Sequence, residues 1–301
     1  MQRVMKNSSS VSDGGTGEPI DQKMQVVPAG VVGRLKWGIM RMVLSTAGRL
    51  SKGIRIGYRF GFDSGIMLDY VYSNQAQGSF GIGKVIDRVY LNAIGWRAIR
   101  ARRVLLERML RLEIEQNRAQ GQSTRLLDVA SGPGRYLQTL LETCGSDAGD
   151  IRVLCRDLAV AGLLEGEELA KERGLNNIFY EQGDAFEPAA TDEQLGGAPN
   201  VIVVSGLYEL LLDDETIQRS LKRLYALLAP GGTLYFTTQI QHPQLDFIAN
   251  VLPNRDGQRW VMKCRAVGVV EEWANAAGFG LVQSKREELG LFTVTRACKL
   301  F

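Results

Sequence analysis

Leu126-Leu127-Asp128-Val129-Ala130-Ser131-Gly132-Pro133-Gly134-Arg135 runs as an apolar strand ending in an acid, a turn holding two glycines, and the start of a helix. Downstream the alternation continues. Strands are predicted at 126–130, 152–155, 178–181, 200–205 and 233–238, with helices at 135–143, 160–173 and 215–228 between them. Strands separated by helices of this length imply right-handed βαβ crossovers, hence an α/β, doubly wound, mostly parallel sheet covered on both faces. Residues 279–282 and 291–295 read as an antiparallel pair that brings the sheet to seven strands.

Two chemistries compete for the glycine turn. In a dinucleotide-binding fingerprint a third glycine follows Gly134 at the position occupied by Leu137, and a pyrophosphate could not approach as that motif requires. A nicotinamide cofactor is therefore disfavoured. The early acid instead suits a cationic ligand: Asp128 can accept a hydrogen bond from an ammonium, while Gly132 and Gly134 let backbone come close. The stretch resembles the first motif of class I S-adenosylmethionine-dependent methyltransferases, a Rossmann-like fold. That family prefers glycine where this chain has Ala130, a departure expected to tighten the turn.

The resemblance extends down the chain. It implies that Asp157, after the second strand, accepts both ribose hydroxyls, with Leu158 beside it. It implies further that Asp184 in Gly183-Asp184-Ala185-Phe186 meets the adenine amine, with Phe186 or Leu158 against the ring. Ser205-Gly206-Leu207-Tyr208-Glu209 ends the fourth strand beside the methyl donor, and Pro230-Gly231-Gly232 is the turn before the fifth. Taken singly, each acid could be a helix cap or turn residue. Four matches in order carry the inference. The implied S-adenosylmethionine site comprises Asp128, Ala130, Gly132, Gly134, Asp157, Leu158, Asp184, Ala185, Phe186 and Ser205.

A narrower resemblance covers residues 59–297. Phe62-Asp63-Ser64-Gly65, Leu68-Asp69-Tyr70-Val71-Tyr72, the run IDRVYLNAIGWRAIR over 86–100, His242-Pro243-Gln244-Leu245, Arg255-Asp256-Gly257 and Trp260-Val261-Met262 are similar to a bacterial methyltransferase family sometimes fused to α/β-hydrolases. Within it the chain resembles members that make a hydroxy fatty acid methyl ester quorum signal.

Composition fits a folded chain: of 301 residues, 45% are hydrophobic and 23% charged, at a mean hydropathy of −0.08. Cys144, Cys155, Cys264 and Cys298 lie far apart and there is a single histidine, so reduced thiols and no metal are expected. The net charge of +3 is uneven, because residues 22–62 carry eight basic residues and no acid, leaving 28 basic against 33 acidic residues elsewhere. A charge confined to one segment argues against nucleic acid as a partner. Residues 31–58 read as one or two basic amphipathic helices, which either pack on the body or meet an anionic membrane or lipid-like substrate. The chain therefore divides into a disordered arm (1–30), a basic helical N-terminal lid (31–120) that includes a helical run over 82–118, and a cofactor domain (121–301). With no long apolar span and no secretory start, a cytoplasmic place is expected, leaving open a peripheral one on the inner face of the membrane.

The acceptor is less constrained. Alcohols and phenols need a base, and His242, with Tyr208 and Glu209 after the fourth strand, is the candidate; its alternative is a loop histidine bonded to backbone. A carboxylate is already ionised and needs only orientation, for which Tyr72, Tyr70, Tyr90 and Arg97 are available unless they are core residues. The reading is a methyltransferase acting on a hydrophobic acid, as in carboxyl methylation of a 3-hydroxy fatty acid. A phospholipid or natural-product O- or N-methyltransferase and a non-catalytic membrane-surface protein are the alternatives.

Overall fold

The computed structural model describes Val26 and residues 30–144, 149–187 and 192–301. The arm expected over 1–30 lies outside the described residues, apart from Val26 and Gly30. Seven strands, β1 (Thr124–Val129), β2 (Ile151–Asp157), β3 (Ile178–Gln182), β4 (Val201–Val204), β5 (Thr233–Gln239), β6 (Gly280–Arg286) and β7 (Phe292–Cys298), form one sheet in the order β3-β2-β1-β4-β5-β7-β6. The first five are parallel, and β7 runs antiparallel to both β5 and β6. The expected seven-stranded α/β sheet is the one observed.

The helices are α1 (Val31–Ser45), α2 (Lys52–Phe60), α3 (Gly65–Ser73), α4 (Ile82–Leu91), α5 (Ile94–Ala119), α6 (Arg135–Cys144), α7 (Val160–Glu172), α8 (Asp192–Leu195), α9 (Asp214–Leu227), α10 (Leu245–Val251) and α11 (Val267–Ala276). Successive residues of β1 serve opposite faces, as the two-residue period of a strand demands. Leu126 joins α5 and α6 through Leu110 and Leu137, while Leu127 joins α9 and α11 through Leu221 and Ala274. Both faces being covered explains why the parallel strands read as continuous apolar runs.

A third core lies beyond the sheet. Phe62, Met67, Trp96, Ile248, Trp260 and Leu291 draw α2, α3, the start of α5 and α10 together. The single helical run expected over 82–118 is broken at Asn92–Ala93, where Ala93 turns extended before α5 begins. The break lets α4 fold back and present Asp87, which is fully buried. Its Oδ1 accepts from Ser51 Oγ at 2.5 Å and the Gly53 amide at 2.8 Å, and its Oδ2 from the Gln77 amide at 2.8 Å and the Tyr70 hydroxyl. One carboxylate thus gathers four donors from α2, α3 and the segment before α4. The basic stretch 31–58 resolves into α1, a short 3-10 turn (Ala47–Leu50) and α2, whose start is capped by Ser51 accepting from the Ile54 amide at 3.0 Å. On α1, Trp37 packs edge-on against Phe247 of α10 with ring centres 6.4 Å apart. Val32, Leu35, Ile39, Met42 and Val43 of the same helix stay exposed.

Candidate active site

The carboxyl ends of β1, β2 and β4 open into a cleft of about 450 Å³, and α3 closes its other side. All ten residues proposed from the sequence as cofactor ligands line it. The turn after β1 is left-handed at three alternate positions, Ala130 (φ 61°), Gly132 (φ 56°) and Gly134 (φ 62°). A side chain at Gly134 would lie 2.6 Å from Cys155 Sγ, so that glycine is required both by conformation and by space. Ala130 has no such freedom and holds a conformation that costs an L-residue about 1–2 kcal/mol relative to the right-handed region. Ala130 thus keeps the left-handed conformation at the position where the related motif has glycine.

Asp157 organises this turn from β2. Its Oδ2 accepts from the Gly132 amide and its Oδ1 from the Ala159 amide, each at 2.8 Å, so both oxygens are fixed while keeping a further lone pair. Asp128 is buried, its Oδ2 accepting from the Tyr136 hydroxyl at 2.8 Å, and its Oδ1 meets no donor among the described residues. Burial pushes the Asp128 carboxyl up to about 8; the Tyr136 hydroxyl opposes the rise and the Asp157 charge adds to it. Asp184 Oδ1 accepts from the Phe186 amide at 2.8 Å. Leu158 leaves most of its apolar surface open on the rim.

The charge of the cleft is negative. Five aspartates and two arginines line it, and the arginines are taken: Arg255 pairs with Asp63, and Arg135 with Asp69 and, at 2.6 Å, with Glu165. Among the described residues Asp157 and Asp184 have no cationic partner, and neither has Asp128, which adds its charge when it ionises; such a lining favours a cation. An orphaned buried carboxylate oxygen, a glycine turn that permits close backbone approach, a fixed carboxylate for vicinal hydroxyls and an open apolar rim together fit S-adenosylmethionine.

The four residues proposed as catalytic are not brought together. Tyr72 lines the cleft, its hydroxyl oxygen accepting from Arg102 Nη2 at 3.3 Å. Glu209 lies behind, its Oε1 accepting from Arg102 Nη1 at 3.1 Å and from the Thr237 hydroxyl at 2.8 Å. Thr237 Oγ1 in turn accepts from the Gly206 amide at 2.9 Å, so Glu209 positions the wall of the cleft. Tyr208 corrects the expectation: it points to the α9 side, where its hydroxyl is 2.9 Å from Ser220 Oγ and its ring packs on Phe236. His242 corrects it as well. It is buried outside the cleft, its Nδ1 accepts from the Gln244 amide at 3.0 Å, and burial lowers its pKa to about 4. Its proton therefore sits on Nε2 at neutral pH, and it has no free basic nitrogen for proton removal.

Asp63, Asp69 and Tyr136 also line the cleft and Arg102 lies behind it; the first two stand in the family-like stretches without an assigned role, and Tyr136 and Arg102 were not singled out from sequence. Tyr136 follows the glycine turn closely enough to have been found, whereas Arg102 is one arginine among several along α5 and only its burial singles it out.

Comparison with known proteins agrees with this geometry. The chain is 38% identical over 267 residues to the uncharacterized protein YnbC of Escherichia coli (strain K12), covering 88% of this chain and 45% of that protein, so it spans less than half of that relative's length. Among solved structures it resembles a possible exported protein from Bordetella parapertussis (TM-score 0.62, 16% identity, 90% of this chain and 95% of that one). It also resembles the S-adenosylmethionine-dependent methyltransferase SibL (0.53, 13%, 83% and 73%) and the CMeT domain of the citrinin polyketide synthase (0.52, 14%, 95% and 83%). At such identities the likeness is one of fold. The model of the family described as "Putative methyltransferase" matches residues 6–299. That match takes in the helical cover as well as the sheet, and the chain belongs to this family of methyltransferases.

Proposed function

We propose that the chain uses S-adenosylmethionine to methylate the carboxyl group of a hydrophobic acid, such as a 3-hydroxy fatty acid that becomes a methyl ester signal. The observation that supports the cofactor is the cleft itself, in which all ten motif residues line one space and three aspartates have no cationic partner among the described residues. When bound, the cofactor supplies a methyl group on a sulfonium. Asp157 would hold its ribose hydroxyls, Asp128 its ammonium, and Asp184 with Leu158 and Phe186 its adenine.

The protein's own share of the transfer is alignment and exclusion of water. Because Tyr72 accepts from Arg102, its hydroxyl hydrogen is free to donate into the cleft, where it would orient an acceptor carboxylate. A carboxylate needs no proton removal, which agrees with the placement of His242 outside the cleft and with its protonated Nε2.

Single-turnover transfer at saturating cofactor, with 3-hydroxydecanoic acid and its methyl ester as rival acceptors, tests the assignment. The acid is expected to be methylated at a rate flat between pH 6 and 9, with His242→Gln slowing it far less than the roughly 100-fold typical of losing a general base. Methylation of the ester would show a hydroxyl acceptor and defeat the proposal.

Cofactor binding itself should depend on pH. Asp128 holds a proton below about pH 8 in the free protein, whereas an ammonium favours its ionised form. Binding must then release that proton, so S-adenosylmethionine affinity is expected to rise up to about tenfold per unit between pH 6 and 8 and to level off above. In calorimetry the heat should also vary with buffer ionisation enthalpy, and Asp128→Asn should abolish both effects.

The exposed apolar faces of α1 and α4, the latter with Ile82, Val85 and Val89, carry only basic charges beside them, Arg34, Lys36 and Arg41 on α1 and Lys84 and Arg88 on α4. We propose that they apply the protein to an anionic membrane. Flotation with phosphatidylglycerol vesicles should fall as salt rises, since exposed charges are screened over about 10 Å at 0.1 M. Equal flotation with neutral vesicles would refute it.

A further inference from the structure

A second cavity, of about 320 Å³, lies between α1, α4, the start of α5 and α10 and shares no lining residue with the cofactor cleft. Its walls are almost wholly apolar. Trp96 and Trp260 stack with ring centres 6.0 Å apart and an interplanar angle of 24°, and Ile54, Ile99 and Phe292 complete the inner surface. Its outer end lies at Val89, a lining residue that is 69% exposed.

Among the residues that line this apolar space are polar groups left unsatisfied by the described residues. Gln239, at the carboxyl end of β5, is 1% exposed, yet neither its amide nitrogen nor its amide oxygen has a hydrogen-bond partner among the described residues. Trp260 Nε1 is likewise buried without an acceptor among the described residues. His242 directs Nε2 at Gly95, where a Cβ would come within 2.6 Å, so Gly95 keeps the space in front of that nitrogen clear. Burying a primary amide with both ends unpaired is unfavourable, and native chains rarely tolerate it without a purpose. A core packing role would be served better by leucine.

The chemistry of the group that would pair with them follows from their charge. An amide, an indole and a neutral imidazole are all uncharged, and among the described residues no arginine, lysine or carboxylate lines the cavity. An anionic head here would be stripped of water without a counter-charge. A hydroxyl or carbonyl fits instead: the amide of Gln239 offers both a donor and an acceptor to a hydroxyl, and Trp260 Nε1 a further donor.

The cavity also adjoins the reaction site. Phe292, one of its walls, carries the Arg102 guanidinium 5.0 Å above its ring, and the same guanidinium bonds Tyr72 in the cleft. The Phe292, Arg102 and Tyr72 layer is thus a wall common to both spaces. Its cleft side presents the Tyr72 hydroxyl, held from behind by the buried Arg102; its cavity side offers aromatic surface for a chain.

We infer that this cavity is the binding site for the acyl chain of the methyl acceptor, and that Gln239 and Trp260, with His242 beside them, recognise an uncharged hydroxyl or carbonyl on that chain. Its assignment to the acceptor rests on the methyl-transfer reading; the binding of an uncharged, hydroxyl-bearing aliphatic chain does not.

The test uses the full chain without cofactor, with octan-1-ol and 1-chlorooctane as probes of similar length that differ in the ability to donate a hydrogen bond. Trp96 and Trp260 line the cavity, so its occupation should be visible in tryptophan emission. Octan-1-ol is expected to bind saturably and about tenfold more tightly than 1-chlorooctane. Gln239→Leu should bring the two affinities together and raise the melting temperature of the free protein, because the unpaired amide is gone. No emission change with either probe, or an unchanged preference for the alcohol in Gln239→Leu, would overturn the inference. S-adenosylmethionine is titrated in parallel: alcohol binding without cofactor binding would keep the site but remove its role for an acceptor, and cofactor binding without alcohol binding would remove the cavity site and leave methyl transfer standing.

Discussion

Asp157→Ala is expected to weaken S-adenosylmethionine binding by about 1.5–3 kcal/mol, or roughly 10- to 150-fold, the range for hydrogen bonds to a charged group. Two losses combine. The ribose hydroxyls lose their acceptor, and the amides of Gly132 and Ala159, held at 2.8 Å, lose the carboxylate that fixes the glycine turn. Asp157→Asn separates these contributions, because its one carbonyl oxygen can serve the Gly132 or the Ala159 amide but not both; it should fall between wild type and alanine. Calorimetric titration at pH 8, with melting curves to establish folding, measures both. A folded alanine variant of unchanged affinity would remove Asp157 from the site.

The second large effect concerns stability. Asp87→Ala leaves Ser51 Oγ, the Tyr70 hydroxyl and the amides of Gly53 and Gln77 without their shared acceptor in a buried place. Each unsatisfied buried group costs about 1–3 kcal/mol, so a total loss of about 4 kcal/mol is expected even if water reaches some of them. The damage should be local. Amide exchange ought to accelerate through α2, α3 and α4 well before β1 and β4, whose strands belong to separate cores. A loss under about 1 kcal/mol by urea titration would show that the four donors find other partners.

The sheet was legible because its central strands are buried on both faces, and their apolar runs, such as Leu126-Leu127 or Val201 to Val204, are followed by an acid or a glycine turn. The cleft was legible for a related reason: the residues that line it sit on the turns at the carboxyl ends of parallel strands, on either side of β1, where the strand order reverses. The helical cover was not. Its packing depends on Asp87, which reads in sequence as one charged residue on an amphipathic helix and becomes a hub only when α4 folds back at Asn92. His242 follows β5 in sequence, as a catalytic base would, but the chain after Gln239 turns away from the cleft and buries the ring among Trp96, Trp260 and Ile248. Tyr208 faces α9 because Gly206, at φ 83°, reverses the chain immediately after β4. Such reversals are set by long-range packing, and no local spacing reports them.

The most direct test of the account is calorimetric titration of the wild-type chain with S-adenosylmethionine and, separately, with NADH at pH 8. The glycine turn, the fixed Asp157 carboxylate and the unpaired Asp128 oxygen predict saturable one-to-one binding of S-adenosylmethionine, displaced by S-adenosylhomocysteine, and no heat of binding with NADH. Tighter binding of NADH, or no binding of S-adenosylmethionine by the folded protein, would contradict it.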